Sequence, residues 1–305
     1  QQTLAVGDIV GVGDMLLLVH RGPASHRPAN HPTLIGVSSA IRGVVGRILM
    51  VGARRDTALI QGETGVGKEL VARALHEQSD SRRGPFVAVN CSAVSDTLLQ
   101  SELFGHVRGA FSGADASRPG LVGAAAGGTL FLDEIGDATP ALQASLLRLL
   151  EQREYRPVGS DALRSSDARF VAATHVDLRS AAATDRFRDD LYARLSQWVV
   201  TVPPLRERRE DVIVLGYHLL QGVSQAPISR PLALALLLHD WPYNVRELAA
   251  VMREGAAAGG EEIALTEALA QRLAPQPQSH RTQSSQTQSS QTQSSQTQSS
   301  QTGAP

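Results

Sequence analysis

Between residues 33 and 203, short apolar runs alternate with stretches whose apolar residues recur at helical spacing. The runs at 57–61, 86–90, 129–133, 170–174 and 199–202 have the length and composition of strands. Leu70, Val71, Ala74 and Leu75 form one helical stripe, and Leu142, Leu146, Leu149 and Leu150 form another. The second stripe follows Thr139-Pro140, a hydroxyl residue able to cap and a proline suited to the first helical position. Such alternation predicts an α/β fold with a parallel sheet covered by helices.

From 204 to 274 the pattern becomes all-helical. One helix follows 206–211, a second carries 232–238, and a third opens at Asn244-Val245-Arg246-Glu247. In that tetrapeptide Asn244 is placed to cap and Glu247 to reach back. Residues 1–32 hold a β-like stretch at 7–20 and a Pro- and His-rich linker, too little for a core of their own. Four copies of Thr-Gln-Ser-Ser-Gln fill 282–301; without apolar side chains they cannot offset the entropy of ordering, so 275–305 is expected to be a disordered tail. The expected organisation is therefore 1–32, 33–203, 204–274 and 275–305.

Composition changes this picture little. Across 305 residues, 29 Lys and Arg against 30 Asp and Glu give a net charge of −1, so bulk charge offers no attraction to nucleic acid. The single cysteine, Cys91, excludes an internal disulfide and suits a reducing compartment. No apolar run approaches the roughly 18 residues of a membrane span, and the start lacks a signal-peptide pattern, so a cytoplasmic protein without membrane contact is expected. A start at Gln1 rather than methionine suits a fragment.

Chemistry enters with Gly62-Glu63-Thr64-Gly65-Val66-Gly67-Lys68, which follows an apolar run and opens a helical stripe, the context of a P-loop. The glycines let consecutive N–H groups face phosphates, the helix N-terminus adds partial positive charge, and Lys68 adds a full one. Glu69 stands where the general pattern has Ser or Thr. Asp133 and Glu134 close the 129–133 run, 65 residues after Lys68. Neighbouring strand residues point oppositely, so the two carboxylates can divide the work. Asp133 would hold Mg²⁺ through water, and Glu134 would orient and deprotonate the attacking water. A solvated turn is the plainer reading of such a pair, and the P-loop upstream argues against it. His175 has no second His or Cys at ligand spacing, so zinc is not expected.

Between these motifs runs Ser101-Glu102-Leu103-Phe104-Gly105-His106-Val107-Arg108-Gly109-Ala110-Phe111-Ser112-Gly113-Ala114. Its glycines free an insertion to move, with Phe111 as an apolar tip, or alternatively folded back into the core. Residues Gly109, Ala110, Phe111, Ser112, Gly113 and Ala114 resemble the GAFTGA loop of the AAA+ ATPases that activate sigma-54 RNA polymerase, with serine for threonine. The resemblance covers about 33–255 and includes Glu69, since a glutamate after the P-loop lysine is usual in that family.

The resemblance implies a P-loop AAA+ domain followed by a small helical lid, and ATP and Mg²⁺ as ligands. It further implies assembly into a ring of six or seven copies and sigma-54 RNA polymerase holoenzyme as partner. By the same resemblance, residues 62–69 cradle the phosphates and Asn90 holds the catalytic glutamate until the loops are set. His175 senses the γ-phosphate, while Arg188 and Arg194, six apart on a helix, act as fingers across a subunit boundary. Arg246 links the lid to the phosphates. Plainer readings are a strand-end asparagine and histidine, surface ion pairs of the two arginines with Asp189 and Asp190, and a helix-surface Arg246. Residues 109–114 would rise with ATP and grip sigma-54; Ser112 forgoes a methyl, roughly 0.8 kcal/mol of burial, so weaker engagement is expected. Residues 153–168 resemble the family's second mobile loop and 202–208 its hinge into the lid. Residues 1–32 resemble the last strands of a forkhead-associated domain.

Two departures stand out. Tyr243 occupies a glycine position of the family pattern, which predicts about 1–2 kcal/mol of strain if φ there is positive. No recognition helix with basic flanks follows the lid, so the chain is expected to lack a DNA-binding domain, as a truncated or decayed member would. Two rival functions are another AAA+ remodelling motor, such as an unfoldase, and an adaptor that binds nucleotide without hydrolysing it.

Overall fold

A computed structural model describes residues 4–6, 8–12, 15–19, 31–92, 96–111 and 113–274. In chain order the elements are β1 (Ile9–Val12), β2 (Met15–Leu18), α1 (Ser39–Gly52), β3 (Ala58–Gln61), α2 (Lys68–Glu77), β4 (Phe86–Asn90), α3 (Asp96–Phe104), β5 (Gly105–His106), β6 (Arg118–Pro119), α4 (Leu121–Ala124) and β7 (Thr129–Asp133). There follow α5 (Pro140–Gln152), β8 (Glu154–Tyr155), β9 (Arg164–Ser165), β10 (Arg169–Thr174), α6 (Leu178–Ala182), α7 (Asp189–Leu195), β11 (Trp198–Thr201), α8 (Glu210–Leu219), α9 (Arg230–Leu238), α10 (Asn244–Ala257) and α11 (Glu267–Leu273).

The five expected strands form one sheet in the order β11-β3-β10-β7-β4, every neighbouring pair parallel. Their ends differ from the sequence reading by no more than one residue, as strand ends do. Period-two alternation sends Leu59, Leu130, Leu132, Phe170 and Ala172 to one face, where they pack with Leu103, Leu142, Leu146 and Leu149. Ala58, Ile60, Phe131, Val171 and Ala173 face the other way, against Ile48 and Val51 of α1 and Val71 and Leu75 of α2. A sheet buried on both sides explains why its strands read as unbroken apolar runs. Thr139 caps α5 as expected, accepting from the Leu142 N–H.

β3 comes first in the sheet, and the chain leaves it through α2 for the far edge strand β4. Consecutive connections therefore diverge beside β3, which opens a crevice at the carboxyl ends of β3 and β10. The P-loop residues lie there.

α8–α11 surround a separate apolar cluster that includes Leu215, Leu236, Trp241, Leu248, Met252 and Leu269. Ile9 and Leu16 of the antiparallel β1–β2 pair pack at its margin. Among the described residues no helix is long and apolar enough to cross a membrane. The expected linker at 20–30 and the repeat tail at 275–305 lie outside the described residues.

Candidate active site

The loop after β3 turns on two glycines with positive φ, Gly65 at 81° and Gly67 at 101°. At Gly65 a side chain has no room, because its Cβ would collide with the Tyr243 carbonyl and lie 3.0 Å from the Arg246 Cβ. Gly67 is the N-cap of α2 and supplies no side-chain cap. The first-turn N–H groups of that helix therefore have no side-chain acceptor from the cap, the condition for anion binding at a helix N-terminus. Gly62 closes the strand by donating to Thr174 O at 3.2 Å, and Val66 buries its side chain beneath the loop.

Lys68, 7% exposed, donates to Gly62 O at 3.1 Å and pairs with Glu134 at 3.1 Å. Glu134 thus has a cation on one carboxylate oxygen, and its other oxygen lies 2.7 Å from His175 Nδ1. Burial pushes this carboxyl up, but the His175 and Lys68 hydrogen bonds together outweigh it and hold Glu134 below the usual carboxylate range. Its backbone is left-handed at φ 52°, an unusual conformation for glutamate that aims the carboxylate away from the strand direction. Asp133 sits one residue earlier and accepts the Glu134 N–H at 3.1 Å. Burial, then the Glu134 charge, push its carboxyl above the usual range. Two adjacent carboxyls therefore differ in proton affinity, Glu134 being the more readily ionised.

Asn90 pairs in register with Asp133 across β4 and β7, but its side chain accepts from the Ser92 N–H and hydroxyl and not from anything on Glu134. In this conformation His175 and Lys68, rather than Asn90, hold the glutamate. Glu69 is exposed and engages Arg73 one turn on, at 2.7 Å.

The lid closes on the loop through residues the sequence reading had not assigned to the site. Arg206 grips Glu63 at 2.8 and 2.5 Å. That guanidinium, with help from Asn244, holds the Glu63 carboxyl low against the effect of burial. Asn244 donates to Glu63 Oε2 and Thr64 O, both at 3.1 Å, and accepts from the Leu205 N–H at 2.7 Å. Buried Arg208 donates to Val66 O at 3.2 Å. Arg246 is exposed on the first turn of α10, beside Gly65.

This corrects two expectations. Asn244 is not the cap: α10 starts at Asn244, Tyr243 is the N-cap, and the back-reaching Glu247 accepts the Tyr243 N–H at 3.1 Å. Nor is Tyr243 strained, since its φ is −109°. The left-handed positions are Trp241 and Asn244, each at φ 53°, where burial of the indole and the bonds of the amide to the loop stabilise them.

The family model for the sigma-54 interaction domain matches residues 34–201, and that for the AAA+ ATPase lid domain matches 206–286. The chain belongs to the sigma-54 interaction domain family. It is 47% identical over 232 residues to the transcriptional regulatory protein ZraR of Klebsiella oxytoca, an alignment covering 74% of this chain and 52% of that protein. It is 47% identical over 221 residues to the Nif-specific regulatory protein of Herbaspirillum seropedicae, covering 70% and 41%. The crystal structure of NtrX from Brucella abortus in complex with ATP superposes with a TM-score of 0.69 at 32% identity, covering 74% of this chain and 50% of that one. The chain thus spans about half the length of the relatives it matches.

In this sigma-54 interaction domain, residues 109–114 follow α3 and the short β5. Gly109 N donates to Ala114 O at 2.9 Å and Ala114 N to Phe111 O at 3.0 Å. Phe111 is half-buried, its ring edge against His106 at 5.0 Å. It is neither a bare tip nor a core residue. Ser112 lies outside the described residues. The second insertion forms the β8–β9 hairpin and bonds the first: Val107 N donates to Val158 O at 3.1 Å and Val158 N to Gly105 O at 2.8 Å.

Arg188 and Arg194 are exposed. Arg188 is the N-cap of α7 rather than a residue within the helix, and it pairs with Asp190 at 2.7 Å; Arg194 pairs with Glu151 at 3.0 Å. Both pairs are exposed, where solvent screens them.

Proposed function

We propose that the chain hydrolyses ATP and couples hydrolysis to sigma-54 RNA polymerase, gripping it through residues 109–114 and remodelling the closed promoter complex. The observation that carries this reading is the Lys68–Glu134 pair at 3.1 Å beneath the glycine turn. A triphosphate in the 62–69 cradle competes with Glu134 for the Lys68 ammonium, which releases the carboxylate toward water. Held below the usual range, Glu134 is ionised at neutral pH and able to accept the water's proton. His175, hydrogen-bonded to Glu134, fixes the carboxylate's direction. Among the described residues no group of three His, Cys, Asp or Glu could hold a metal alone. A single carboxylate anchor, Asp133, fits Mg²⁺, which keeps its waters and binds mainly to substrate phosphates. Bound there, the metal would neutralise charge on the phosphates.

Arg246 and the Arg206–Glu63–Asn244 clasp link the lid to the cradle. Arg188 and Arg194 would exchange their exposed carboxylate partners for the phosphates of a neighbouring copy in a ring, a switch that solvent-screened surface pairs permit. Phe111, resting on His106, would leave it as the loop rises toward sigma-54. Substituting Phe111→Ala tests the coupling: phosphate release is expected to persist while promoter opening with sigma-54 polymerase is lost. Normal promoter opening by that variant would refute the role of the loop.

A further inference from the structure

At the opposite end of the sheet, where β10 begins, three arginines converge on one cavity of about 230 Å³. Arg55, Arg153 and Arg169 line it together with Ser81, Ser166 and Asp167. Arg55 comes from the α1–β3 connection, Ser81 from the turn after α2, Arg153 from the C-cap of α5, and Ser166 and Asp167 from the segment between β9 and β10.

The donors here outnumber their acceptors. None of the three arginines forms an ion pair among the described residues. Arg169, 2% exposed, spends its terminal nitrogens on the carbonyls of Val51, Gly52 and Leu75, and its buried Nε has no partner. Arg153 donates once, to Ala168 O at 2.9 Å, and lies 5.1 Å above the Phe170 ring. Its backbone is left-handed at φ 58°, a helix-end position that favours glycine, so the arginine is kept there against a conformational cost. Buried Ser81 has no hydroxyl partner among the described residues, and Ser166 accepts the Ala168 N–H while its own proton remains available.

Two carboxylates oppose this charge. Asp167 accepts the Gly127 N–H at 2.9 Å, and exposed Asp56 accepts the Trp198 Nε1–H at 3.0 Å. Burial lowers the proton affinity of Arg153 and Arg169, with Arg55 adding to the effect on Arg153 and Asp56 countering it at both.

We propose that this cavity binds a compact oxyanion, a phosphoryl group in particular. Guanidinium forks match the edges of a tetrahedral oxyanion, and two hydroxyls complete the donor set. The volume is below the roughly 300–1,000 Å³ of sites for drug-sized ligands, so the occupant is small. The cavity also sits at the stem of the second insertion. Ser166 N donates to Arg153 O at 2.7 Å, and the β8–β9 hairpin leaves and returns between these two residues. A bound anion would tie that stem, through Arg169, to the ends of α1 and α2. Because the hairpin bonds to the first insertion, the site is placed to stiffen both loops.

Equilibrium dialysis of the full chain with labelled inorganic phosphate tests this. The wild type is compared with Arg55→Gln/Arg153→Gly and with Lys68→Ala, which accounts for phosphate held by the glycine cradle. Glycine suits the φ at 153 and position 55 is exposed, so the double variant is expected to keep a cooperative melting transition. One Lys68-independent phosphate is expected, weakened at least about tenfold in the double variant. Phosphate should also slow amide exchange over 154–165 in the wild type but not in the double variant. Displacement by glycerol phosphate would assign a phosphomonoester as ligand; failure to displace would assign free phosphate. The proposal is overturned if no Lys68-independent phosphate is found or if the double variant binds as the wild type does. It is equally overturned if chloride and sulfate act like phosphate at equal ionic strength, which would mean an adventitious ion only.

Discussion

The two ends of the five-stranded sheet both bury positive charge, but they neutralise it differently. At the carboxyl ends Lys68 is held by a carboxylate, Glu134, that is itself shared with His175. At the amino ends Arg169 is held by three main-chain carbonyls. A side-chain partner can swing away when a better anion arrives, whereas carbonyls at the ends of α1 and α2 cannot leave without unravelling the helices. The first arrangement can exchange partners and the second fastens layers together. Backbone strain does not follow this division: Glu134 is left-handed at one end and Arg153 at the other.

The comparison breaks if Glu134 proves as structural as Arg169. Glu134→Gln is expected to lower ATP hydrolysis about 10²–10⁴-fold, the range for removing a positioned general base. Nucleotide affinity should stay the same or rise, because the carboxylate that competes for Lys68 is gone; loss of nucleotide binding in an otherwise folded protein would contradict the exchange. Next in size, Arg169→Met should destabilise the fold by roughly 2–6 kcal/mol, since Gly52 O and Leu75 O lose this donor at about 1–3 kcal/mol for each unsatisfied group. Denaturant melts would register it, and an unchanged midpoint would show that the arginine fastens nothing.

The smallest effect concerns the lid clasp. Glu63 has a carboxyl held below its ordinary 4.5, so it contributes stability that is complete above that value and lost as pH falls through the lower folded one. With Glu63 and Arg206 both more than a third exposed or close to it, Glu63→Gln should cost under about 1 kcal/mol at neutral pH. The variant should also flatten the acid limb of the stability profile below pH 4.5. An acid limb identical to that of the wild type would remove Glu63 from the clasp.

Much of the sheet was legible because burial on both faces leaves apolar runs, and the P-loop because its spacing is local. The lid clasp was not legible. Asn244 looked like a helix cap because Asx side chains cap helices far more often than they bridge domains; its partners Glu63 and Thr64 lie about 180 residues away. Tyr243 looked strained because a glycine position suggests positive φ, yet the positive φ falls on Trp241 and Asn244 on either side. Phe111 looked like a bare tip because nothing adjacent in sequence covers it, and the ring that does, His106, is brought to it by the turn of the insertion.

Sequence alone determined the alternating strands and helices, the glycine loop with Lys68, the paired carboxylates at 133 and 134, and family membership, because each rests on period or short spacing. Only the tertiary structure decided which partner each charge has: Lys68 with Glu134, Glu63 with Arg206 and Asn244, and Arg169 with helix carbonyls. Those choices join segments tens to nearly two hundred residues apart, and ion pairs and hydrogen bonds leave no periodic trace in a chain.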